Sequence, residues 1–378
     1  MNDIPNLRGP VAGKARRQAV ENPSMKVSLF TEIQCPSGSV PAELLQQFLD
    51  QAELGDALGY DGYWVAEIHF TPSFSLLSAP YVVLGAATQR TRRLSLGVAV
   101  NTLPIHHPMQ LAEQAATLDV LSGGRMCFAA GGGHPHTRAY ECFGVEHEHV
   151  RDLMRESIEV IRLAWTEESV DYRGRFFRIP DIVANPKPLQ RPHPPLYTAA
   201  SSLDGVNFAA RMGLNLFIPV HVRTAEELRE FSAAYRQGLA AHGRDPEEYE
   251  LGLLLPMHVG GTEAEARDRS EAGVMSYYDV IRDTRGSYAE WLLSQGRPLP
   301  ERLRTNAAAG GLTFERVCNG FAAIGTADQV VERIGELARD TGAGHVLAWM
   351  NIGSVAHDHI KESMQRFAED ALAAVRRI

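Results

Sequence analysis

Short apolar runs alternate with longer amphipathic stretches along most of this chain. Eight of the short runs predict β-strands, because each is brief, rich in branched or aromatic residues and bounded by turn-forming residues. They cover residues 25–30, 62–66, 94–100, 125–130, 196–199, 214–219, 251–259 and 344–350. A small hairpin is predicted in addition over residues 171–178.

The amphipathic stretches predict a helix between successive strands and one after the last. These helices cover residues 42–58, 80–91, 109–121, 150–165, 202–212, 225–242, 327–340 and 357–377. The helix at 327 begins with a capping box formed by Thr326 and Gln329. Eight strands alternating with eight helices predict an α/β fold, a single (β/α)8 TIM barrel. An open doubly wound sheet shows a similar alternation, but the count of eight favours the barrel.

A long insertion separates the seventh strand from the helix that follows it. Residues 260–323 are too many for a plain loop between a strand and a helix, and they include Tyr277, Tyr278 and Trp291. Loops after barrel strands lie at the catalytic face, so this segment is a candidate lid. Residues 25–378 are expected to form one domain. Residues 1–24 lack the apolar core of a signal peptide and predict a flexible tail.

Charge and cysteine content narrow the function classes. The 378 residues carry a net charge of −9, which argues against a general nucleic-acid binder. An anionic ligand stays possible, because one helix N-terminus can hold a phosphate. No apolar run reaches the length of about 18 residues that a membrane helix needs. Cys35, Cys127, Cys142 and Cys318 form no C-x-x-C pair, which predicts reduced thiols in a cytoplasmic protein.

Several catalytic motifs are absent from the sequence. It contains no phosphate-binding G-x-x-x-x-G-K-[ST] loop, no H-E-x-x-H and no G-x-S-x-G. No G-x-G-x-x-G follows a predicted strand, so a dinucleotide-binding fold is not expected. Candidate chemistry is therefore sought among residues at the ends of the predicted strands.

Glu67 and His69 follow the second predicted strand. A histidine can act as an acid or a base near neutral pH, and a neighbouring glutamate can orient it. A histidine at a strand end also serves commonly as a structural residue. Both interpretations stay open from the residues alone.

Small residues follow the third and fourth strands. Ala99, Val100 and Asn101 would let a flat ligand approach the backbone, and Gly131, Gly132 and Gly133 permit a closer approach still. A packed barrel core and an ordinary turn are the alternatives. The histidine pairs in this part of the chain lack helical spacing and a third ligand, so we predict no metal site. These pairs are His134 with His136 and His147 with His149.

Ala200, Ser201 and Ser202 lie where the fifth strand gives way to a helix. Free backbone N–H groups, two hydroxyls and the helix dipole suit a phosphate group. A serine that only caps the helix is the alternative.

Taken together, four passages resemble the bacterial luciferase-like flavin-dependent monooxygenases, over nearly the whole chain from Lys26 to Ala371. Each passage is weak alone, but their order and spacing make the likeness specific. They are WVAEIHF at 64–70, LGVAVNTLPIHHP at 96–108, GGRMCFAAGGG at 123–133 and the C-terminal IGTADQVVERI with IKESMQRFAED.

The resemblance implies a barrel that binds reduced FMN in its mouth and uses O2 to oxidise a small or medium organic substrate. Hydroxylation and Baeyer–Villiger oxidation are both open. A separate flavin reductase would supply the reduced FMN, and the chain would form a homo-oligomer without nucleic-acid or membrane partners. The implied catalytic residues are His69 and Glu67. The implied cofactor-binding residues are Ala99, Val100, Asn101, Gly131, Gly132, Gly133, Ala200, Ser201 and Ser202.

The resemblance also places a non-prolyl cis peptide bond at Ala99–Val100 and the FMN phosphate at the turn from Ala200 to Ser202. Two positions depart from the pattern. Luciferases carry two adjacent histidines where this chain has Ile68 and His69, which argues against light emission. They also carry a phosphate-binding arginine where this chain has Gly132, and Arg138 or Arg151 are candidate replacements. A deazaflavin-dependent dehydrogenase and a flavin-binding protein without turnover are the alternative functions.

Overall fold

The computed structural model describes residues 24–133, 138–220, 223–299 and 312–378. Eight parallel strands in these ranges form a barrel, which confirms the predicted fold class. The strands are β1 (Lys26–Thr31), β2 (Gly62–Val65), β3 (Ser95–Thr102), β4 (Met126–Gly131), β5 (Leu196–Ala199), β6 (Asn215–Pro219), β7 (Leu251–Val259) and β8 (His345–Asn351). Each strand pairs with the next along the chain, and pairing of β8 with β1 completes the circle.

Helices surround the barrel in the order that the sequence predicts. They are α1 (Pro41–Leu58), α2 (Pro80–Arg90), α3 (Pro108–Ser122), α4 (Ala139–Phe143), α5 (Val150–Thr166), α6 (Leu203–Met212), α7 (Ala225–Ala241), α8 (Glu263–Ser294), α9 (Phe314–Gly320), α10 (Ala327–Thr341), α11 (His357–Asp370) and α12 (Leu372–Val375). Short 3-10 turns occur at Leu103–Ile105, His147–His149 and Pro246–Glu248. The predicted capping box opens α10: the Thr326 hydroxyl accepts a hydrogen bond from the Gln329 backbone N–H group, and Oε1 of Gln329 accepts one from the Thr326 backbone N–H group.

The last helix differs from the prediction. One helix was expected over residues 357–377, but the backbone at Ala371 turns to φ −124° and separates α11 from α12. The short second helix turns Leu372 and Val375 into the core. Burial of these two side chains offsets the loss of helical continuity.

Aromatic side chains fill the barrel interior. The Trp64 ring meets Tyr197 and Phe217 edge to face, with ring centroids 5.1 and 5.0 Å apart. Higher in the barrel, Trp349 contacts Phe30 in the same manner at 5.3 Å. Such a filled interior leaves the ends of the strands as the place for a ligand.

The insertion between β7 and α10 consists mainly of the 32-residue helix α8. A short strand, Ala323–Gly325, then pairs in parallel with the end of β7. The hairpin predicted near residue 171 is present as two antiparallel strands, Val170–Arg173 and Arg178–Ile182. Residues 1–23 and 300–311 lie outside the described ranges, so the predicted tail and the full extent of the lid stay predictions. Within the described part of the chain, no helix combines the length and apolarity needed to cross a membrane.

Candidate active site

Glu67 is the centre of a polar cluster at the C-terminal end of the barrel. The chain leaves β2 at Val65, and the Glu67 side chain, which is 2% exposed, turns toward the end of β3. Its Oε2 accepts a hydrogen bond from the Thr102 N–H group at 2.6 Å. Its Oε1 lies 3.2 Å from Nε2 of His69 and 2.5 Å from Nε2 of His106. One carboxylate therefore holds a backbone amide and two imidazoles.

These contacts set the charge of Glu67. Burial alone would raise the pKa of this carboxyl, but hydrogen bonds from His106 and His69 act in the opposite direction. Together with the nearby His106 charge and the Thr102 amide, they lower the pKa to about 2. The carboxylate is thus ionised at any working pH. The nitrogen and oxygen atoms of the three side chains lie within 4.8 Å of one another, and the hydrogen bonds account for this spacing.

The structure brings His69 to Glu67 as the sequence analysis expects, but His106 was missed. His106 stands 39 positions from Glu67 and reaches it because the turn at Leu103–Ile105 carries the chain back over the end of β3. The only feature of the sequence that could have indicated a role for His106 was its position in the family-like passage LPIHHP. Ile68 does not stand in for the missing histidine, because its side chain is buried in the core.

Small residues form a flat surface where β3 and β4 end side by side. We call this surface, formed by Ala99, Val100 and Gly131, the ledge. The peptide bond between Ala99 and Val100 is cis, as the resemblance implies. A Cβ atom on Gly131 would lie 2.1 Å from Cγ2 of Val100, so only glycine fits there. Gly133 has φ +80°, a conformation that side chains disfavour.

Asn101 is held within the protein. Its Oδ1 accepts from the Tyr81 hydroxyl at 2.8 Å, and its Nδ2 donates to the Ala129 carbonyl at 3.0 Å. The side chain is fully buried. A contact between Asn101 and a cofactor stays a prediction, and these bonds favour a structural role for the amide.

The turn at Ala200–Ser202 lies at the end of β5. The Ser202 hydroxyl accepts from the Gly205 N–H group at 3.2 Å and so caps α6. The Ser201 hydroxyl has no hydrogen-bond partner among the described residues. Arg223 donates to the Ser201 carbonyl, and its buried Nε has no partner in the described ranges. The capping alternative is therefore present at Ser202, while Ser201 is open to a ligand.

The two arginines suggested as replacements at Gly132 lie in different places. Arg151 pairs with Asp204, in the first turn of α6, and so stands beside the Ser202 end of the turn. Arg138 instead lies over the Trp291 ring of α8, with its guanidinium carbon 4.7 Å from the ring centroid. Of the two, Arg151 alone lies near the predicted phosphate position. Arg223, which also lies at this turn, was not predicted from the sequence.

A cavity of about 630 Å³ opens between the barrel mouth and α8. One of its lining residues, Phe70, contacts His69, with the two ring centroids 5.7 Å apart. The cavity is lined by Phe70, Thr71, Ser73, Arg138, Glu141, Cys142, Val280, Asp283, Thr284, Ser287 and Tyr288.

The other histidines form no part of this cluster in the described structure. His134 and His136 lie outside the described residues. His147 and His149 pair with Glu141 and Glu146, at 3.4 and 3.1 Å.

Solved structures share this barrel. The oxygenating constituent of 3,6-diketocamphane monooxygenase from Pseudomonas putida, a type II Baeyer–Villiger monooxygenase in complex with FMN, superposes with a TM-score of 0.77. It is 17% identical, over 93% of this chain and 98% of that chain. A secondary alcohol dehydrogenase dependent on the deazaflavin F420 superposes with a TM-score of 0.68. It is 18% identical, over 93% of this chain and 99% of that one.

Curated relatives extend over most of the sequence. The 4-hydroxyprotoasukamycin monooxygenase of Streptomyces nodosus subsp. asukaensis is 28% identical over 88% of this chain and 87% of its own length. The oxygenase component of the flavin-dependent trigonelline monooxygenase of Acinetobacter baylyi is 24% identical over 93% of this chain and 95% of its own. A family model described as luciferase-like monooxygenase matches residues 25–345. The chain therefore belongs to the luciferase-like monooxygenase family.

Proposed function

We propose that this protein is a flavin-dependent monooxygenase that uses reduced FMN and O2 to oxidise a small or medium organic substrate. A separate flavin reductase supplies the reduced FMN, and the oxidation is a hydroxylation or a Baeyer–Villiger reaction. One observation carries the proposal. Four consecutive strands, β2 to β5, end in a buried carboxylate with two imidazoles, a ledge of small residues and a turn with an open hydroxyl.

The turn after β5 fits the phosphate of FMN. Ser201 offers an unpaired hydroxyl, and the backbone at the start of α6 offers the positive end of a helix dipole. Arg223 and Arg151 flank the turn, and the buried Nε of Arg223 is a donor without a partner in the described ranges. An unpaired buried donor is costly, so an anion at this position would satisfy a group that is otherwise left without a bond.

The ledge at Val100 and Gly131 fits the flat ring of a flavin. Bound FMN would supply the electrons and the site of reaction with O2. The chain itself would hold the ring against the ledge and exclude water beneath α8. It would also transfer a proton through one of the imidazoles bonded to Glu67, and the sequence predicts His69 for this role. In this proposal the insertion of residues 260–323 is a lid over the cavity, because a reactive oxygenating site must be kept from solvent.

The activities named for relatives support the oxygenase assignment. Two curated relatives are monooxygenases, and one of them is the oxygenase component of a system with a further component. The deazaflavin-dependent alcohol dehydrogenase with the same fold favours a second candidate, hydride transfer without oxygen. The two candidates differ in the cofactor that binds and in the need for O2.

The decisive experiment uses the purified full chain with chemically reduced cofactors, so that no reductase is needed. Anaerobic titrations would measure the affinity for reduced FMN, reduced riboflavin and a reduced deazaflavin. Admission of oxygen-18-labelled O2 in single turnovers would then follow label incorporation into a panel of ketones, phenols and terpenes. We expect FMN to bind more tightly than riboflavin, and at least one panel member to gain a single labelled oxygen atom.

Two results would overturn the proposal. Tight binding of only the deazaflavin, with hydride transfer to a carbonyl compound under nitrogen, would establish the dehydrogenase instead. Flavin binding without label incorporation or hydride transfer would identify a binding protein without turnover.

A further inference from the structure

The Glu67 carboxylate holds two imidazoles, and only one belongs to the strand-two motif. We propose that His106 is the residue that exchanges a proton with the flavin or the substrate, while Glu67 and His69 position it. This inference rests on the proposed flavin-dependent function. It assigns the proton transfer to a residue that follows β3, the strand that contributes Ala99 and Val100 to the ledge of small residues.

Hydrogen bonding fixes which nitrogen of each ring is available. A carboxylate oxygen only accepts hydrogen bonds, so Nε2 of His106 and Nε2 of His69 both carry protons toward Oε1 of Glu67. Neither Nδ1 atom has a hydrogen-bond partner among the described residues. The Nδ1 atoms are therefore the ones that can exchange a proton with a ligand.

The charge of the cluster favours one mobile proton. Glu67 contributes one negative charge, so the cluster is neutral when one imidazole is protonated and singly negative when neither is. A neutral group of charges is the least costly to bury. Among the described residues, the buried Tyr81 also interacts with Glu67; burial and the carboxylate raise the pKa of Tyr81, so it stays protonated.

Exposure distinguishes the two imidazoles. The His106 side chain is 28% exposed, whereas that of His69 is 12% exposed. The edge-to-face contact with Phe143 and the neighbouring Phe70 cover the His69 ring. His106 is also the closer partner of the carboxylate, at 2.5 Å against 3.2 Å. His106 is thus both closer to the carboxylate and more accessible than His69.

The proton transfer needs no reactant other than a proton from the solvent. The Nδ1–H bond of the His106 imidazolium breaks as a bond forms between that proton and an anionic oxygen produced in the reaction. The imidazole returns to its neutral form with its Nε2 proton still directed at Glu67. A proton from bulk solvent then returns to Nδ1, so the net change is the transfer of one solvent proton to the anionic oxygen. Ile68, buried in the core, takes no part in this step.

The test compares His106→Gln and His69→Gln with His107→Gln as the matched control. His107 is the adjacent histidine, exposed and edge-on to Phe177 at 5.6 Å, and it has no contact with Glu67. We expect His106→Gln to lower the oxygen-dependent rate per bound flavin by about 10²–10⁴-fold and to flatten its pH profile. Flavin affinity and the unfolding midpoint should stay unchanged, and His107→Gln should match the wild type in every measurement.

Chemical rescue separates a proton-transfer role from a structural one. Imidazole in the buffer should restore part of the rate of His106→Ala but none of the rate lost in His69→Ala. A near-normal rate in His106→Gln, or rescue only in His69→Ala, would overturn the proposal and assign the transfer to His69.

The hydrogen bonding of the two imidazoles can also be tested in the protein without flavin, where no turnover occurs. Nitrogen-15 spectra of the flavin-free protein at alkaline pH should show His106 and His69 as Nε2–H tautomers. Glu67→Gln should shift the signals of both and leave His107 unaffected. An Nδ1–H tautomer at His106, or insensitivity to Glu67→Gln, would also overturn the proposal.

Failure of the monooxygenase assignment would look different. If the wild-type protein transfers hydride to a deazaflavin and ignores O2, the proposed function fails. The role of His106 would then be judged by whether His106→Gln slows that hydride transfer while the imidazole signals keep their dependence on Glu67.

Discussion

A Cβ atom built on Gly131 would lie 2.1 Å from Cγ2 of Val100. The two residues come from β4 and β3, which run side by side to the barrel mouth. The position of a Cβ atom is fixed by the backbone, so no side-chain rotation at residue 131 can relieve this contact. Even alanine at this position must therefore displace Val100. The ledge of the proposed flavin site therefore depends on the absence of one methyl group.

We predict that Gly131→Ala lowers both stability and flavin affinity. Forcing a methyl group into a packed position costs about 1–3 kcal/mol, and the displaced Val100 would alter the surface offered to the ring. Chemical denaturation and anaerobic flavin titration measure the two effects.

Gly85→Ala is the control for Gly131→Ala, because it adds the same methyl group in helix α2, where a Cβ atom would meet nothing within 4 Å. It should leave flavin affinity unchanged and raise stability slightly. An unchanged flavin affinity in a folded Gly131→Ala protein would show that the ring does not rest on this ledge.

Much of this architecture could be predicted, because the spacing of apolar residues and the residues that end each helix or strand are local properties of the sequence. Glu67 and His69 could be proposed as site residues for the same reason: both directly follow a strand whose end is visible in the pattern. His106 was missed because its contact with Glu67 depends on how far β3 extends and how the turn after it folds. The internal bonding of Asn101 was also beyond reach, because Tyr81 and Ala129 approach it from other elements.

Ser202 offers a test of the phosphate position that separates charge from helix capping. Aspartate and asparagine both cap helices about as well as serine, so α6 should keep its stability in Ser202→Asp and Ser202→Asn. Only aspartate adds a negative charge at the turn. We expect Ser202→Asp to weaken FMN binding by about tenfold or more and to leave riboflavin binding unchanged.

The asparagine variant serves as the matched control at position 202. Its FMN affinity should stay within a few-fold of the wild type. Equal losses for FMN and riboflavin in Ser202→Asp would place the phosphate elsewhere.

Helix α8 carries two glycines that differ in how closely neighbouring atoms approach them. A Cβ atom on Gly273 would lie 2.4 Å from the backbone nitrogen of Val355, whereas one on Gly286 would meet nothing within 4 Å. If α8 is a lid, Gly273→Ala should shift it and admit water. We expect more hydrogen peroxide per reduced FMN oxidised, with little change in flavin affinity.

Gly286→Ala tests the same helix without the clash. It should leave peroxide release at the wild-type level and stabilise α8 by about 1 kcal/mol or less. Identical peroxide yields from wild type, Gly273→Ala and Gly286→Ala would remove the reason to regard α8 as a water-excluding lid.

The other end of the barrel contains another carboxylate with a histidine partner, the half-buried Glu250. Its Oε1 lies 2.5 Å from Nδ1 of His345 and 3.2 Å from the Tyr197 hydroxyl, and its Oε2 lies 2.5 Å from Nζ of Lys26. Burial alone would raise the pKa of Glu250, but the hydrogen bond and charge of His345, with those of Lys26, lower it to about 2. The ordinary value is 4.5.

We predict that this cluster stabilises the fold above pH 4.5 and that its contribution is lost as the pH falls toward 2. A carboxyl whose pKa is lower in the folded than in the unfolded state binds fewer protons when folded, so acid favours unfolding. The shift corresponds to about 3 kcal/mol at neutral pH. Glu250→Gln should remove this part of the pH dependence, measured as the free energy of unfolding in urea at a series of pH values.

Glu67 titrates in the same range, since its pKa is also lowered to about 2. The wild-type curve therefore contains both contributions, and the difference between wild type and Glu250→Gln isolates the one from Glu250. That difference should be largest near neutral pH and shrink below pH 4.5. Glu248→Gln, an exposed neighbour, should run parallel to the wild type throughout. A difference that stays constant down to pH 2 would mean that Glu250→Gln acts through lost packing, because packing does not depend on proton binding.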